Sequence, residues 1–540
     1  MQTMTPEKTS ILQVCLLLLM SVNYSLVAMN HALPTFHGYT PLFHCQGNNM
    51  STTSQSCVAA NTSSLDVDVS SCPGGYTFEA LSGERKLVAE WQLVCERRVL
   101  LPLAATLYFC GVTVGAVVCG MLADWLGRRL VMLLCLLGQA LLAVAIYFSG
   151  SLLVFMVLRV IQGFFVQGMQ GATYTLLVEL FPPRIRTAVG VILEIYWALG
   201  LAALAGFDYI VPDWRYLQLT IAAPTLLTLF YVCLIPESPR WLSSQGRHEE
   251  AQKVWMKIAP GPMQQLADEK HIENGPKNGP IEMQHVPGKA EDDAISTDGL
   301  VLGAAEKNCD QRDLDVKVKA KKSNILELLQ KRVVRKHTFI MTYIWFSVSL
   351  SYYGITFYLP ALSGDRHINF LWGSILEMAA FILAFCILVK FGRRLPLCLY
   401  LLVSGAVCIA VAGISMVPPG TTTWSETMRT VFTLMGKASV VSAFCSIFLY
   451  TSELFPTVLR AAAMGLCGFW GRVGSLISPQ LLLVGEYTYP AVPMACMGVL
   501  CLAAGFATLS LPETLGLPLP DTIEEAQKLS RKNDKKREPS

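Results

Sequence analysis

Charge is what this sequence has least of. Asp, Glu, Lys and Arg make up 15% of its 540 residues, against about 25% in an ordinary soluble domain. With 53% of residues hydrophobic as well, a soluble globular chain is excluded. The net charge is only +3, and no basic tract is interleaved with aromatics, so nucleic acid is not an expected partner. Clusters of Cys and His at zinc spacing are missing, so no metal site is expected. A nucleotide loop is missing too: "LMGKA" at 434–438 lacks both the upstream Gly and the Ser/Thr. No nucleophile–base constellation stands out, so the chain reads as no enzyme and implies no cofactor.

Long apolar runs are abundant instead. Twelve spans read as about 11–29, 98–122, 130–149, 152–177, 187–207, 215–235, 338–362, 370–390, 395–417, 430–452, 461–484 and 490–511. Each is near the ~20 residues that cross a bilayer. The first run is the length of a signal peptide as well, but it lacks a small-x-small cleavage site, and its loss would leave an odd number of spans. The expected class is an all-α membrane protein with the lipid bilayer as its surroundings.

Lys and Arg in the short loops set the orientation. Arg128 and Arg129, Arg184 and Arg186, Lys390 with Arg393 and Arg394, and Arg460 fall on one side. The basic 236–337 segment and the tail "RKNDKKR" join them. That side is expected to be cytoplasmic, with both termini. Residues 30–97 are then outside. They carry Cys45, Cys57, Cys72 and Cys95 beside the glycosylation sequons at Asn49 and Asn61. Four cysteines beside two sequons suggest an oxidised loop with two disulfides of undetermined pairing.

The central segment divides further. "RHEEAQKVWMKIA" spaces Ala251, Val254, Trp255 and Ile258 as a short amphipathic helix. Residues 260–312 have the composition of a disordered insert, with no cytoplasmic partner legible. "SNILELLQKR" reads as another short helix, capped by Asn324.

The chain also repeats itself. "ELFPPRIR" at 179–186 returns as "ELFPTVLR" at 453–460, an offset of 274. "LGRR" at 126–129 returns as "FGRR" at 391–394, and "IPESP" at 235–239 as "LPETL" at 511–515, offsets of 265 and 276. Three echoes in one order predict two pseudo-symmetric six-helix halves with a binding region between them at the midplane. The halves are expected over 1–235 and 338–511, with a cytoplasmic loop at 236–337 and a tail at 512–540.

These residues resemble the major facilitator superfamily. "GMLADWLGRR" at 120–129 fits its loop pattern G-x-x-x-D-R/K-x-G-R-R, except that Trp125 replaces the base. The second copy, "FCILVKFGRR", has Val389 in place of the acid. "PESPRWL" at 236–242 and the large first loop are similar to the organic ion transporter family, solute carrier 22. "PDWRYLQL" at 212–219, "GRVGSLISP" at 471–479 and "LPETLGLPLPDT" at 511–522 look like its organic anion branch. The resemblance implies alternating access in the plasma membrane, with amphipathic organic anions exchanged for an internal counter-anion. It also gives gating roles, at the inner end, to Asp124, Arg128, Arg129, Glu179, Arg186, Glu453 and Arg460. As plain loop residues, the arginines would serve orientation alone. A carrier of organic cations or zwitterions is the alternative, or a transporter-like receptor or scaffold.

Five ionisable residues lie within spans: Arg159, Glu194, Glu377, Lys437 and Arg472. Arg472 is twelve residues beyond Arg460, roughly 18 Å into its span and near the middle of a ~30 Å core. A central Arg costs at least ~2.5–3.5 kcal/mol, so it needs a partner or a wet cavity. It either anchors an anionic cargo group, since guanidinium stays charged and binds carboxylate bidentately, or pairs with Glu377 or Glu194. Arg159 and Lys437, 278 residues apart, take near-equivalent places and are read as structural. Glu194 either pairs with Arg159 or, with Glu377, lowers the positive potential of the cavity. The family's Lys, four residues after the acid at Glu377, is here Phe381. Tyr352, Tyr353, Phe357, Phe444, Phe448 and Tyr450 resemble the family's aromatic cage, with Asn23 and Gln167 as possible hydrogen-bonding groups. Substrate contact is expected of Arg472, Tyr353, Phe444, Asn23, Tyr352, Phe448 and Glu377. Gly200, Gly206 and the "GVTVG" at 111–115 are read as packing glycines.

Overall fold

The computed structural model describes residues 10–45, 76–79, 85–182, 185–232, 234–258, 328, 331–416, 423–517, 520 and 525. Asn49, Asn61, Cys57, Cys72, Asn324, the 260–312 insert and most of the tail lie outside the described residues.

Among the described residues, twelve helices of 18 residues or more form the body. The first six are α1 (Ile11–His37), α3 (Leu100–Leu126), α4 (Arg128–Tyr147), α5 (Leu152–Leu180), α6 (Arg186–Ile210) and α7 (Trp214–Val232). The second six are α10 (Arg332–Tyr358), α11 (Arg366–Phe391), α12 (Arg394–Ile414), α13 (Thr423–Leu454), α14 (Thr457–Tyr487) and α15 (Ala491–Thr508). Nine of the twelve are long and apolar enough to cross a membrane by composition alone; α7, α10 and α14 are not among them. In α10 and α14 the reason is a stripe of Ser, Thr, Gly and one Arg, including Ser347, Ser349, Ser351, Arg472 and Ser475. Such a stripe is tolerated where a helix faces protein or a cavity instead of lipid.

Local chemistry starts several of these helices. Ser10 and Gln13 form a capping box on α1. Ser151 caps α5, and Asp365 caps α11 by accepting from the backbone N–H groups of His367 and Ile368. The apolar run at 11–29 extends to His37 and packs on α5, α6 and α7, so it belongs to the folded body.

The halves repeat in space as they do in sequence. In the first, α3 packs on α5, α1 on α6, α4 on α7 and α4 on α5. In the second the same pairings recur six spans on: α11 on α13, α10 on α14, α12 on α15 and α12 on α13. Between halves, α6 meets α11 and α3 meets α14, two contacts that a pseudo-two-fold axis exchanges. The "GVTVG" glycines let α3 cross α5 closely, because a Cβ on Gly111 would sit 1.9 Å from the Val160 carbonyl oxygen. Gly200 meets the Ser25 backbone in the same way, whereas a Cβ on Gly206 would meet nothing within 4 Å, so no close packing depends on that glycine.

Two features were not legible as apolar runs. A short antiparallel ribbon, β1 (Phe43–Cys45) with β2 (Tyr76–Phe78), pairs Phe43 with Phe78. The helix α2 (Leu87–Glu90) then seats the loop on the body. Arg215 donates to both Glu90 carboxylate oxygens, at 2.5 and 3.3 Å, and the Trp214 indole donates to Oε2 at 2.8 Å. Burial works against ionisation of Glu90, but the bonds from Arg215 and Trp214 outweigh it and hold its carboxyl below the usual range. Cys95 is disulfide-bonded. At the other end, α8 (Pro239–Ser244) and α9 (His248–Ile258) pack together after the first half, α9 being the amphipathic helix expected from sequence.

Candidate functional site

Arg472 projects from the middle of α14. It is half-buried, donates from Nη1 to the Gly468 carbonyl at 3.1 Å, and leaves Nε without a bond. It makes no ion pair with a described residue. It stands near Tyr24 and His31 of α1 and Tyr353 of α10, groups of both halves.

The neighbouring acid is occupied elsewhere. Glu377 of α11 is fully buried, 3.0 Å from Lys437 Nζ of α13. The Tyr352 hydroxyl donates to it at 2.7 Å and accepts from the Trp197 indole at 2.7 Å. Lys437 also donates to Thr356 and lies 3.8 Å from the centre of the Tyr352 ring. The cation absent at Phe381 is thus supplied from α13. Pairing of Arg472 with Glu377, one of the two structural options, is not what the fold adopts.

Arg159 is a structural cation. It donates to Gln162 at 2.7 Å and to the Asn30 carbonyl at 3.5 Å, and lies 4.2 Å from the centre of the Tyr108 ring. It does not pair with Glu194. Glu194 on α6 is half-buried and makes no hydrogen bond or ion pair with a described residue.

The aromatic residues divide. Tyr353 and Phe444 are half-buried, and Phe448 is exposed. Phe444 and Phe448 pack at a tilt with ring centres 5.5 Å apart, and Trp345 meets Phe448 edge-on at 4.5 Å. Tyr352 is buried and bonded as above. Tyr450 is fully buried, donating to the Pro512 carbonyl at 2.5 Å. Asn23 is fully buried inside the first half, donating to Thr173 at 3.3 Å, and Gln167 is buried. Trp345 and Trp197 were missed by sequence reading, since an isolated Trp in an apolar run carries no positional signal.

At the end bearing the GRR turns, the sequence echoes become one motif built twice. Arg128 binds Glu179 at 3.2 Å and the exposed Asp124 at 2.9 Å; Arg393 binds Glu453 at 2.9 Å. Glu237 accepts from the backbone N–H groups of Arg128 and Arg129, and Glu513 from those of Arg393 and Arg394. Both acids thereby cap a helix N-terminus, where orphan donors and the dipole favour an anion. Arg186 and Arg460 each donate to the carbonyl five residues back, Phe181 and Phe455. The turn glycines, Gly127 at φ +102° and Gly392 at φ +94°, adopt backbone that L-residues avoid. Each of these named pairs joins helices of one half. Glu237, Glu513 and Arg393 complete the motif, and the echoes "PES" and "PET" were the signal for the two acids.

The ribbon end is sealed across the halves. Asp208 of α6, 3% exposed, lies 2.9 Å from His367 Nε2, 3.6 Å from Arg366 and 3.5 Å from Lys86. Phe36 packs on Phe370 and His367. Thr106 donates to the Leu476 carbonyl at 3.2 Å and accepts from Gln480 at 3.0 Å. Phe109 meets Tyr353 edge-on at 4.9 Å. The two halves are therefore closed against each other at this end and about the Tyr353 level, with Arg472 on the other side of the seal.

Paired halves closed at one end around a central cation describe a carrier that exposes its site to one face at a time. The Major Facilitator Superfamily profile matches residues 98–479. The fold is similar to that of the xylose transporter XylE from E. coli in its inward open conformation, with a TM-score of 0.64 at 15% identity, covering 96% of this chain and 99% of that one. This is a transporter of the Major Facilitator Superfamily, and no enzyme. Curated relatives narrow the family. Solute carrier family 22 member 6 of Oryctolagus cuniculus is 32% identical over 86% of this chain and 77% of its own length. Organic anion transporter 3 of the same organism is 30% identical over 84% of this chain and 76% of its own. The chain belongs to solute carrier family 22.

Proposed function

We propose that this chain carries amphipathic organic anions across the plasma membrane by alternating access, exchanging them for an internal organic anion. The observation that carries the reading is Arg472: a guanidinium at mid-helix, near groups of both halves, with no acid among the described residues paired to it. Such a charge is costly in a bilayer and is offset when a cargo carboxylate or sulfonate binds it bidentately. Tyr353, Phe444 and Phe448 supply flat apolar walls for the body of the cargo. The names of relatives, one of them an organic anion transporter, support the same class.

In the closed-outside arrangement, the ribbon end is extracellular and the GRR end cytoplasmic. Cargo enters from outside when the Asp208 cluster parts, and leaves when the halves separate at the GRR turns. Arg128–Glu179 and Arg393–Glu453 keep each half rigid as they move. Asp124, Arg129, Arg186 and Arg460 border these turns and act in the inner gate. Glycosylation at Asn49 and Asn61 faces outward in this orientation.

Uptake of a labelled aryl monocarboxylate into cells tests the reading. Arg472→Ala at matched surface expression is expected to lose uptake by roughly 30-fold or more, the scale of a charge-assisted bidentate contact, and Arg472→Lys to recover part of it. Unchanged uptake and Michaelis constant in Arg472→Ala would refute the assignment.

A further inference from the structure

We propose that Cys119 of α3 and Cys135 of α4 form a two-thiol site for a soft divalent cation that takes two ligands, such as the mercuric ion. The two cysteines are equidistant from the first GRR turn: each stands eight residues from Gly127, one before it and one after. At ~1.5 Å per residue both lie roughly 12 Å along their helices from the turn, so they meet at one level. Both are free thiols, and both are buried. Gly168 of α5 shows how close they come. A Cβ built there would lie 2.5 Å from the Cys135 Sγ and 2.6 Å from the Cys119 Sγ. The two sulfurs are therefore no more than about 5 Å apart, and they fill the place that a side chain at 168 would take.

What surrounds the pair selects the ion. Thiolates favour soft cations. Two metal–thiolate bonds of about 2.3 Å span ~4.6 Å in a linear ion, within reach of these sulfurs. Zinc wants four ligands, and no cluster of three or more His, Cys, Asp or Glu occurs among the described residues. Binding replaces two S–H bonds by two S–metal bonds and releases two protons; mercuric chloride gives up its two chlorides with them. The mercuric bis-thiolate carries no net charge. Copper(I) in the same place would leave one negative charge buried in the bilayer, which is costly. Neutral mercuric chloride enters bilayers, and Gly120 and Met121, next along α3, are exposed. The bound ion staples α3 to α4 across the turn, and α3 is a helix that meets the second half, at α14.

Full-length protein in detergent, loaded with mercuric chloride and washed with about 1 mM glutathione, tests the site. The wash strips ions held by a single thiol, whereas a pre-placed pair competes as a chelate with an effective concentration in the millimolar range or above. Elemental analysis is expected to find one more mercuric ion per chain in the wild type than in Cys119→Ala, Cys135→Ala or the double variant, and the same count in those three. X-ray absorption on the loaded wild type, a readout that needs no variant, should show each retained ion with two sulfurs at about 2.3 Å and no third ligand. Zinc loaded in the same way should leave in the wash. Equal mercury in the wild type and the double variant, a single variant that keeps the ion, retained mercury bound by only one sulfur, or zinc retained as well as mercury overturns the proposal.

Discussion

Replacing Lys437 by methionine would leave the Glu377 carboxylate, 0% exposed, without the cation that stands 3.0 Å away. At an effective dielectric of about 20, charges at that separation attract by roughly 5–6 kcal/mol. Part of this is consumed by desolvating both groups, so removing one partner of such a buried pair costs about 3–5 kcal/mol. Glu377→Gln strands Lys437 in the same way while keeping an amide oxygen that can accept from the Tyr352 hydroxyl. The double variant strands neither charge. A double-mutant cycle, read by thermal unfolding of detergent-purified protein, should therefore place the double above both singles, with a coupling energy of about 3 kcal/mol or more. Uptake of the aryl monocarboxylate should survive in the double variant, because the pair holds α11 to α13 and leaves Arg472 free. Losses that simply add would refute the ion pair as a structural unit. A stable double variant without uptake would show instead that Glu377 touches the cargo.

Other outcomes follow from the gates and the outer loop. Asp208→Asn removes the carboxylate gathering Lys86, Arg366 and His367; a Thr106→Cys reporter should then react roughly 5- to 30-fold faster with an impermeant thiol reagent from outside, the effect of 1–2 kcal/mol on the closed state, and an unchanged rate would rule out Asp208 as the latch. Gly127→Ala forces a side chain onto φ +102° with its Cβ 2.5 Å from Glu237 Oε2, at a cost of about 1–3 kcal/mol; Gly392→Ala should do the same through Glu513, and melting temperatures equal to wild type would contradict the capping role. The folded pKa of Glu90 is depressed, so its contribution is present at neutral pH and lost only as pH falls through that depressed value. Hydrogen exchange over 85–99 should stay slow down to the ordinary carboxylate pKa of about 4 and rise below it. Glu90→Gln should show fast exchange already at neutral pH, and loss of wild-type protection well above pH ~4 would break the argument.

Much of this architecture was written along the chain. Apolar runs of bilayer length fix twelve helices, because a spanning segment must satisfy its own backbone. The echoes at 126–129, 179–186 and 235–239 fix the two halves and the turn motif, because its parts are capping and ion-pair chemistry repeated in order. The depth of Arg472 is also a matter of counting residues along one helix. Its solvation is not: only the packed helices show that Glu377 is taken by Lys437, sixty residues away on another helix, and that Arg159 is held by Gln162, Asn30 and Tyr108. Asp208 escaped notice because it stands one residue past the span expected to end at 207, where it looks like a loop acid. Sequence alone set which groups enter the membrane, since burying a charge is costly wherever it lands. Which of those charges stay unpaired was decided by tertiary structure, because pairing depends on helix faces meeting across the two halves.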